Sequence, residues 1–214
     1  MGTLLPYAYP LFRLAVEASR VTAVHNEFMA AAVRAEVPDA SVVRVAMPLT
    51  APEVGAEEAA ALRARLGFTP DDFVVGSFGL LTPEKQIETV ARAVARAAVH
   101  VPRMRLLLVG PVPDRGALSR KLEGLGVAGR TVVTGRVEFA ELTAHMEAAD
   151  VAVHLRYPTA RETSAAYTTE YAKRAGIEGT LSEGIRAHGC NFTNEAAVLF
   201  TLYVALASAC PGGV

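Results

Sequence analysis

Residues Phe73-Val-Val-Gly-Ser-Phe-Gly-Leu-Leu-Thr-Pro-Glu-Lys85 contain an apolar run, a glycine turn and the start of a helix. The run Phe73–Phe78 has the length of a strand and no polar alternation, which is typical of a parallel strand covered on both faces. Thr82 suits a helix N-cap, Pro83 the first helical position, and Glu84 the positive end of the helix dipole. The stretch therefore predicts one β–α step of an α/β fold.

The same alternation of apolar runs and longer helical segments extends on both sides of this stretch. Further strands are predicted at Val21–His25, Val42–Met47, Arg105–Val109, Thr131–Thr134 and Val151–Leu155. Helices are predicted at Leu11–Ser19, Asn26–Ala35, Glu57–Leu66, Glu84–His100, Asp114–Leu125 and Glu138–Ala149. Such alternation gives right-handed βαβ units. We therefore expect a Rossmann-like, doubly wound parallel sheet, with four parallel strands between residues 73 and 155 and helices on both faces.

Composition limits the function classes. The 214 residues are 51% hydrophobic and 20% charged, with a formal net charge of −1. There is no basic excess to hold a nucleic-acid backbone. The two cysteines, Cys190 and Cys210, form neither a disulfide framework nor a metal ligand set, so we expect a reducing, cytoplasmic location. The longest apolar stretch, Ala196–Cys210, is shorter than the roughly 20 residues of a membrane span, and the sequence gives no support for peripheral membrane association.

The chain divides into four segments on these patterns. Residues 1–47 form a short first segment, and a linker around Pro48–Gly55 leads into the α/β unit, which extends over residues 48–165. The alternation stops after Ser164. Residues 166–190 and 191–214 are expected to form a helical tail without further strands.

Two loops at the carboxyl ends of predicted strands are candidate ligand sites. In the first, Gly79 permits close approach of a ligand to the backbone, and Lys85 is within reach of a phosphate; a tight turn and a solvated lysine would look the same. The second, Arg156–Ser164, offers backbone N–H groups to an anion or is an ordinary capped loop.

His154 is interpreted as a core residue. The glycines Gly124, Gly126 and Gly129 match a dinucleotide pattern but end a helix instead of opening one, so we interpret them as a loop.

Taken in order, five motifs resemble the C-terminal domain of the family 4 glycosyltransferases of the GT-B fold. They are Gly76-Ser-Phe-Gly-Leu-Leu-Thr-Pro-Glu-Lys85, Leu106-Leu-Leu-Val-Gly110, Val132-Val-Thr-Gly-Arg-Val137, Ala148-Ala-Asp-Val-Ala-Val-His154 and Leu155-Arg-Tyr-Pro-Thr-Ala-Arg-Glu-Thr-Ser164. The resemblance covers roughly residues 20 to 165. Residues 21–26 also resemble the last strand of that family's N-terminal domain, and residues 42–48 its interdomain crossover.

The resemblance implies transfer of a sugar, with retention, from a nucleoside diphosphate sugar to an acceptor that is a glycan or a lipid-linked molecule. No metal or other cofactor is implied, and no nucleic-acid partner. Lys85 and Glu162 match the catalytic positions. The donor-binding positions are matched by Gly79, Gly135, Arg136, Val137, Thr163 and Ser164.

This chain departs from the family pattern at several positions. Many relatives have arginine where Leu80 stands, and glycine where Gln86 and Ala165 stand. Because leucine stands at position 80 in place of arginine, this chain lacks one phosphate-binding cation of the family pattern. The rest of the C-terminal domain and most of the N-terminal domain have no counterpart in the sequence, so we expect a truncated glycosyltransferase that is inactive alone.

The tail resembles a different family. Tyr171, Arg174 and Glu178 have the spacing found near the third metal-binding carboxylate of DDE transposases. We therefore expect a chimeric chain with a loosely packed tail, marginal stability, and no second carboxylate near Glu178. Two alternatives stay open: a transposase-derived protein that binds or cleaves DNA, and a non-catalytic nucleotide-binding α/β protein.

Overall fold

The structure, a computed structural model, describes residues 11–46 and 53–155. The predictions for the tail, for Glu178 and for residues 156–164 lie outside the described residues. In chain order the helices are α1 (Phe12–Glu17), α2 (Glu27–Glu36), α3 (Ala56–Arg65), α4 (Ile87–Ala97), α5 (Arg115–Gly124) and α6 (Phe139–Glu147). The strands are β1 (Thr22–Val24), β2 (Val42–Arg44), β3 (Phe73–Phe78), β4 (Met104–Val109), β5 (Thr131–Gly135) and β6 (Val151–Ala152).

The four later strands form one parallel sheet in the order β5-β4-β3-β6. The central pair is in register from Phe73 opposite Met104 to Phe78 opposite Val109. The prediction of four parallel strands in one sheet is confirmed. Strands β1 and β2 pair in parallel with each other in a separate two-stranded sheet. With α1 and α2 they enclose a small core of their own around Val24 and Val33.

Alternate residues of the central strands enter two different cores, which explains their unbroken apolar sequence. Val75, Leu106 and Leu108 face α4 and α5, where they pack with Val90 and Val94. On the opposite face the core contains Val74, Leu107, Val109, Phe78 and Met146. The helix α3 packs outside α6 through Leu62, Ala144 and Ala148. The sheet therefore has helices on both faces, as expected for a doubly wound fold.

The segment after β3 differs from the prediction of one helix over Glu84–His100. Pro83–Lys85 forms a single 3₁₀ turn, and α4 begins only at Ile87. Between them Gln86 adopts the left-handed conformation, with φ of 52° and ψ of 38°. Thr82 precedes the turn but makes no side-chain cap bond. Gln86 stands where many members of the family that this segment resembles have glycine, which adopts this conformation without a steric cost.

The strand β6 is shorter than predicted. Its pairing with β3 covers only Val151 and Ala152, although the Val153 N–H still donates to the Gly76 carbonyl at 2.8 Å. Continuing this register places His154 beside Phe78, and their rings lie 6.2 Å apart between centroids. His154 thus stands just beyond the end of the strand, at the carboxyl edge of the sheet.

Candidate functional site

Three glycines lie side by side at the carboxyl edge of the large sheet. Gly79, Gly110 and Gly135 stand at the ends of β3, β4 and β5, and all have positive φ, at 99°, 136° and 75°. The Gly79 N–H donates to the Val109 carbonyl, and the Gly110 N–H to the Gly135 carbonyl, both at 2.9 Å. A side chain on Gly110 would meet the carbonyl group of Gly79. The glycines therefore let the three chain segments cross this edge in close contact, with little bulk above the backbone.

The Lys85 side chain lies at one end of this row of glycines. The 3₁₀ turn folds it back toward β3, where its ammonium donates to the Phe78 carbonyl at 3.2 Å. A Cβ placed on Gly79 would be 3.7 Å from the Lys85 Nζ atom. The residue is only 8% exposed. An ammonium held in a shielded environment attracts an anion more strongly than a solvated lysine does, and the contact with β3 excludes the interpretation of Lys85 as an ordinary surface lysine.

His154 shares this end of the edge. Both ring nitrogens are shielded from solvent. Burial and, to a lesser extent, the positive charge of Lys85 lower the pKa of His154 from 6.5 to about 4. The imidazole is therefore neutral at pH 7, and among residues 11–46 and 53–155 the positive charge beside it is that of Lys85.

Gly135 marks the other end of the row. After it, Arg136 is exposed, and Val137 packs against the core on the α6 face. The guanidinium of Arg115, the first residue of α5, lies directly beside Gly135, since a Cβ placed there would be 2.8 Å from the Arg115 Nη2 atom. Sequence reasoning did not single out Arg115. A cation in the first turn of a helix, where the dipole disfavours it, was the available signal.

The fold thus brings Gly79, Lys85, Gly135, Arg136 and Val137 to one edge of one sheet. Glu162, Thr163 and Ser164, which complete the predicted site, lie outside the described residues, as does Arg156. Within residues 11–46 and 53–155, no three His, Cys, Asp or Glu side chains are grouped so that they could hold a metal ion. None of the helices in the same two ranges is long and apolar enough to cross a membrane.

Comparison with known proteins gives one family match. The family described as glycosyl transferases group 1 matches residues 72–171, which include the whole of the large sheet. No curated protein matches the chain.

Several solved structures share the fold. HepE of Anabaena, in complex with UDP and glucose, is 21% identical over 72% of this chain and 44% of its own length, with a TM-score of 0.59. A sucrose-phosphate synthase of Thermosynechococcus elongatus is 25% identical over 68% of this chain and 37% of its own length, with a TM-score of 0.55. WaaG, a glycosyltransferase involved in lipopolysaccharide biosynthesis, is 14% identical over 87% of this chain and 54% of its own length, with a TM-score of 0.60.

This chain therefore spans about 37–54% of the length of these three proteins. The parallel α/β sheet with its helices resembles GT-B glycosyltransferase domains, and residues 72–171 match the model of group 1 glycosyl transferases.

Proposed function

We propose that the carboxyl edge of the large sheet binds a nucleoside diphosphate sugar, and that the chain is the donor-binding part of a retaining glycosyltransferase. The observation that carries the proposal is the Lys85 ammonium, shielded from solvent and held against Phe78 beside Gly79. Glycosyl transfer releases a nucleoside diphosphate, so negative charge develops on the leaving group in the transition state. A fixed cation at a glycine edge supplies the stabilisation that this reaction requires, without a metal ion.

The family match and the fold favour this activity over the two alternatives. HepE is a structure with UDP and glucose bound, which makes UDP the first ligand to test. Glu162, Thr163 and Ser164 are proposed to bind the phosphate and the sugar from the segment that follows β6. Because this chain spans only part of its structural relatives, we propose that it binds the donor but does not transfer the sugar alone.

The test is binding of UDP, GDP and ADP to the complete chain by isothermal titration calorimetry at pH 7.5. We predict that Lys85→Ala weakens binding of the preferred nucleotide by about 1.5–3 kcal/mol, because one charge-assisted contact to phosphate is lost. This corresponds to roughly a 10- to 150-fold rise in the dissociation constant.

Lys121→Ala is the matched control, because it removes an exposed lysine that pairs with Glu88 on the outer surface of α4 and α5. Equal affinity in the parent and in Lys85→Ala would remove Lys85 from the site. Absence of binding by the parent to all three nucleotides would refute the proposed function.

A further inference from the structure

Arg115 is an exposed cation whose position is not explained by the packing of its helix. It begins α5, and Asp114 before it caps the helix by accepting from the Ala117 N–H at 2.8 Å. Among the residues that the structure describes, Arg115 forms no ion pair and no hydrogen bond. Its guanidinium instead lies across Gly135, with Nη2 at 2.8 Å and Cζ at 3.9 Å from where a Cβ would stand.

This placement works against the stability of the helix. The amino-terminal end of a helix carries a partial positive charge, and a cation in the first turn destabilises it by a few tenths of a kcal/mol or more. The first turn of α5 has no acidic residue to offset Arg115 beyond the cap itself. A residue that departs from a local preference without a structural gain is a candidate for a functional role.

The row of glycines relates Arg115 to Lys85. Lys85 lies beside Gly79 at the end of β3, Gly110 follows on β4, and Arg115 lies beside Gly135 at the end of β5. Neighbouring strands lie about 4.8 Å apart, so the row crosses about 10 Å of sheet edge. Lys85 and Arg115 therefore stand at opposite ends of the row of glycines, where the three glycines have no side chains. A nucleotide whose diphosphate lay at Lys85, and whose nucleoside followed the row of glycines, would reach Arg115.

We propose that Arg115 is a further donor-binding residue that lays its guanidinium plane against the base of the bound nucleotide. This inference rests on the proposed donor site and assigns the nucleoside end of it. Arginine suits this contact because its planar, weakly hydrated cation stacks on aromatic rings, whereas the compact ammonium of lysine does so poorly. The absence of a side chain on Gly135 leaves the guanidinium room beside the backbone.

The experiment compares a ligand that has a base with one that has none. Binding of the preferred nucleotide among UDP, GDP and ADP, and of inorganic pyrophosphate, is measured calorimetrically in about 0.15 M salt, where exposed charges are screened beyond about 8 Å. Arg115→Ala is expected to weaken the nucleotide about 5- to 30-fold and pyrophosphate less than about twofold. Lys85→Ala is expected to weaken both ligands.

Two further variants sharpen the test. Arg115→Lys keeps the charge but not the plane, so it should bind the nucleotide as weakly as Arg115→Ala does. Arg120→Ala removes another arginine of the same helix and should change neither ligand. Since Arg115→Ala removes an unfavourable cation from the start of the helix, its thermal unfolding should occur at or above the parent temperature.

The outcomes separate this inference from the proposed function. Nucleotide binding that depends on Lys85 but not on Arg115 overturns the inference and leaves the donor site standing. Equal losses for nucleotide and pyrophosphate, or full rescue by Arg115→Lys, also overturn it, because a charge and not a planar contact would then act. If the parent binds no nucleotide, both proposals fall.

Discussion

His154 places a buried imidazole next to a buried ammonium. A charged imidazole would lack solvation and would repel Lys85, so both burial and the lysine charge favour the neutral form and hold the pKa at about 4. In the unfolded chain the ring takes up a proton near pH 6.5. Between these two values the unfolded state binds more protons than the folded state, so stability must fall as the pH is lowered through that window.

We predict that the free energy of unfolding decreases by about 2–3 kcal/mol between pH 7 and pH 4 because of His154 alone. In His154→Gln this contribution is absent, so the pH dependence over the same range should be shallower by that amount. Urea unfolding followed by circular dichroism at several pH values measures both curves. His100→Gln, which alters an exposed histidine, should keep the parent slope; a parent slope in His154→Gln as well would contradict the prediction.

A sequence pattern identifies a candidate residue but not the contacts that the residue makes in the fold. Lys85 was found from its place after a glycine turn, but its contact with the Phe78 carbonyl depends on a 3₁₀ turn that the sequence did not indicate. Arg115 was missed because its neighbour Gly135 is 20 residues away along the chain. Contacts of this kind follow from strand order, which periodicity alone does not give.

At the level of elements, the turns after β3 and β4 constrain each other, because their backbones approach closely. Gly110 has φ of 136°, which a residue with a side chain rarely adopts, and a Cβ there would collide with the Gly79 carbonyl. Both atoms belong to backbone segments fixed by hydrogen bonds to the neighbouring strands. Neither segment can move without breaking those bonds, so the geometry of the ligand edge depends on this glycine.

We predict that Gly110→Ala lowers the free energy of unfolding by about 3 kcal/mol or more, from backbone strain and overpacking together. The matched control is Gly124→Ala. Gly124 ends α5 with nothing within 4 Å of the added Cβ, so alanine should be neutral or stabilise the chain by up to about 1 kcal/mol. Urea unfolding of the two variants measures the difference. If Gly110→Ala lowered the free energy of unfolding by less than about 1 kcal/mol, the prediction would be wrong, because the two turns would then be able to move apart.

The accuracy of the predicted boundaries differs between β3 and the helix that follows it. The prediction for β3, Phe73–Phe78, is confirmed residue for residue, because the strand length of the run and the glycine that follows it favour a strand over a helix. The predicted helix Glu84–His100 was too long, since the apolar spacing of Ile87, Val90 and Val94 says nothing about where the helix begins. The break depends on the left-handed conformation of Gln86, and glutamine carries no sequence signal for that conformation.

At the level of the whole molecule, one arginine joins elements that are distant in sequence at the amino-terminal end of the sheet. Arg63 of α3 donates to the carboxylate of Asp150, just before β6, and to the Ala148 carbonyl after α6. It also donates to the Asp72 carbonyl just before β3. Asp150 in turn accepts from the Val74 N–H at 2.6 Å. Asp150 and its partner Arg63 are 87 residues apart in the chain, so no local pattern of the sequence indicates this pair.

We predict that Arg63→Met lowers the free energy of unfolding of the complete chain by about 2–3 kcal/mol. The side chain is 15% exposed, and its replacement removes a cation from Asp150, which is 35% exposed, and a hydrogen-bond donor from three backbone carbonyls. Breaking a fully buried ion pair costs about 3–5 kcal/mol, and the partial exposure of Asp150 places this one below that range. Methionine keeps the apolar stem, so the loss reports the polar contacts and not a cavity.

Arg65→Met removes an exposed arginine of the same helix and should stay within about 0.5 kcal/mol of the parent. Because Arg63 joins α3, β3 and β6, the loss should appear as one earlier cooperative transition in urea. Equal midpoints for the two variants would mean that the two core faces of the sheet hold these elements together without Arg63.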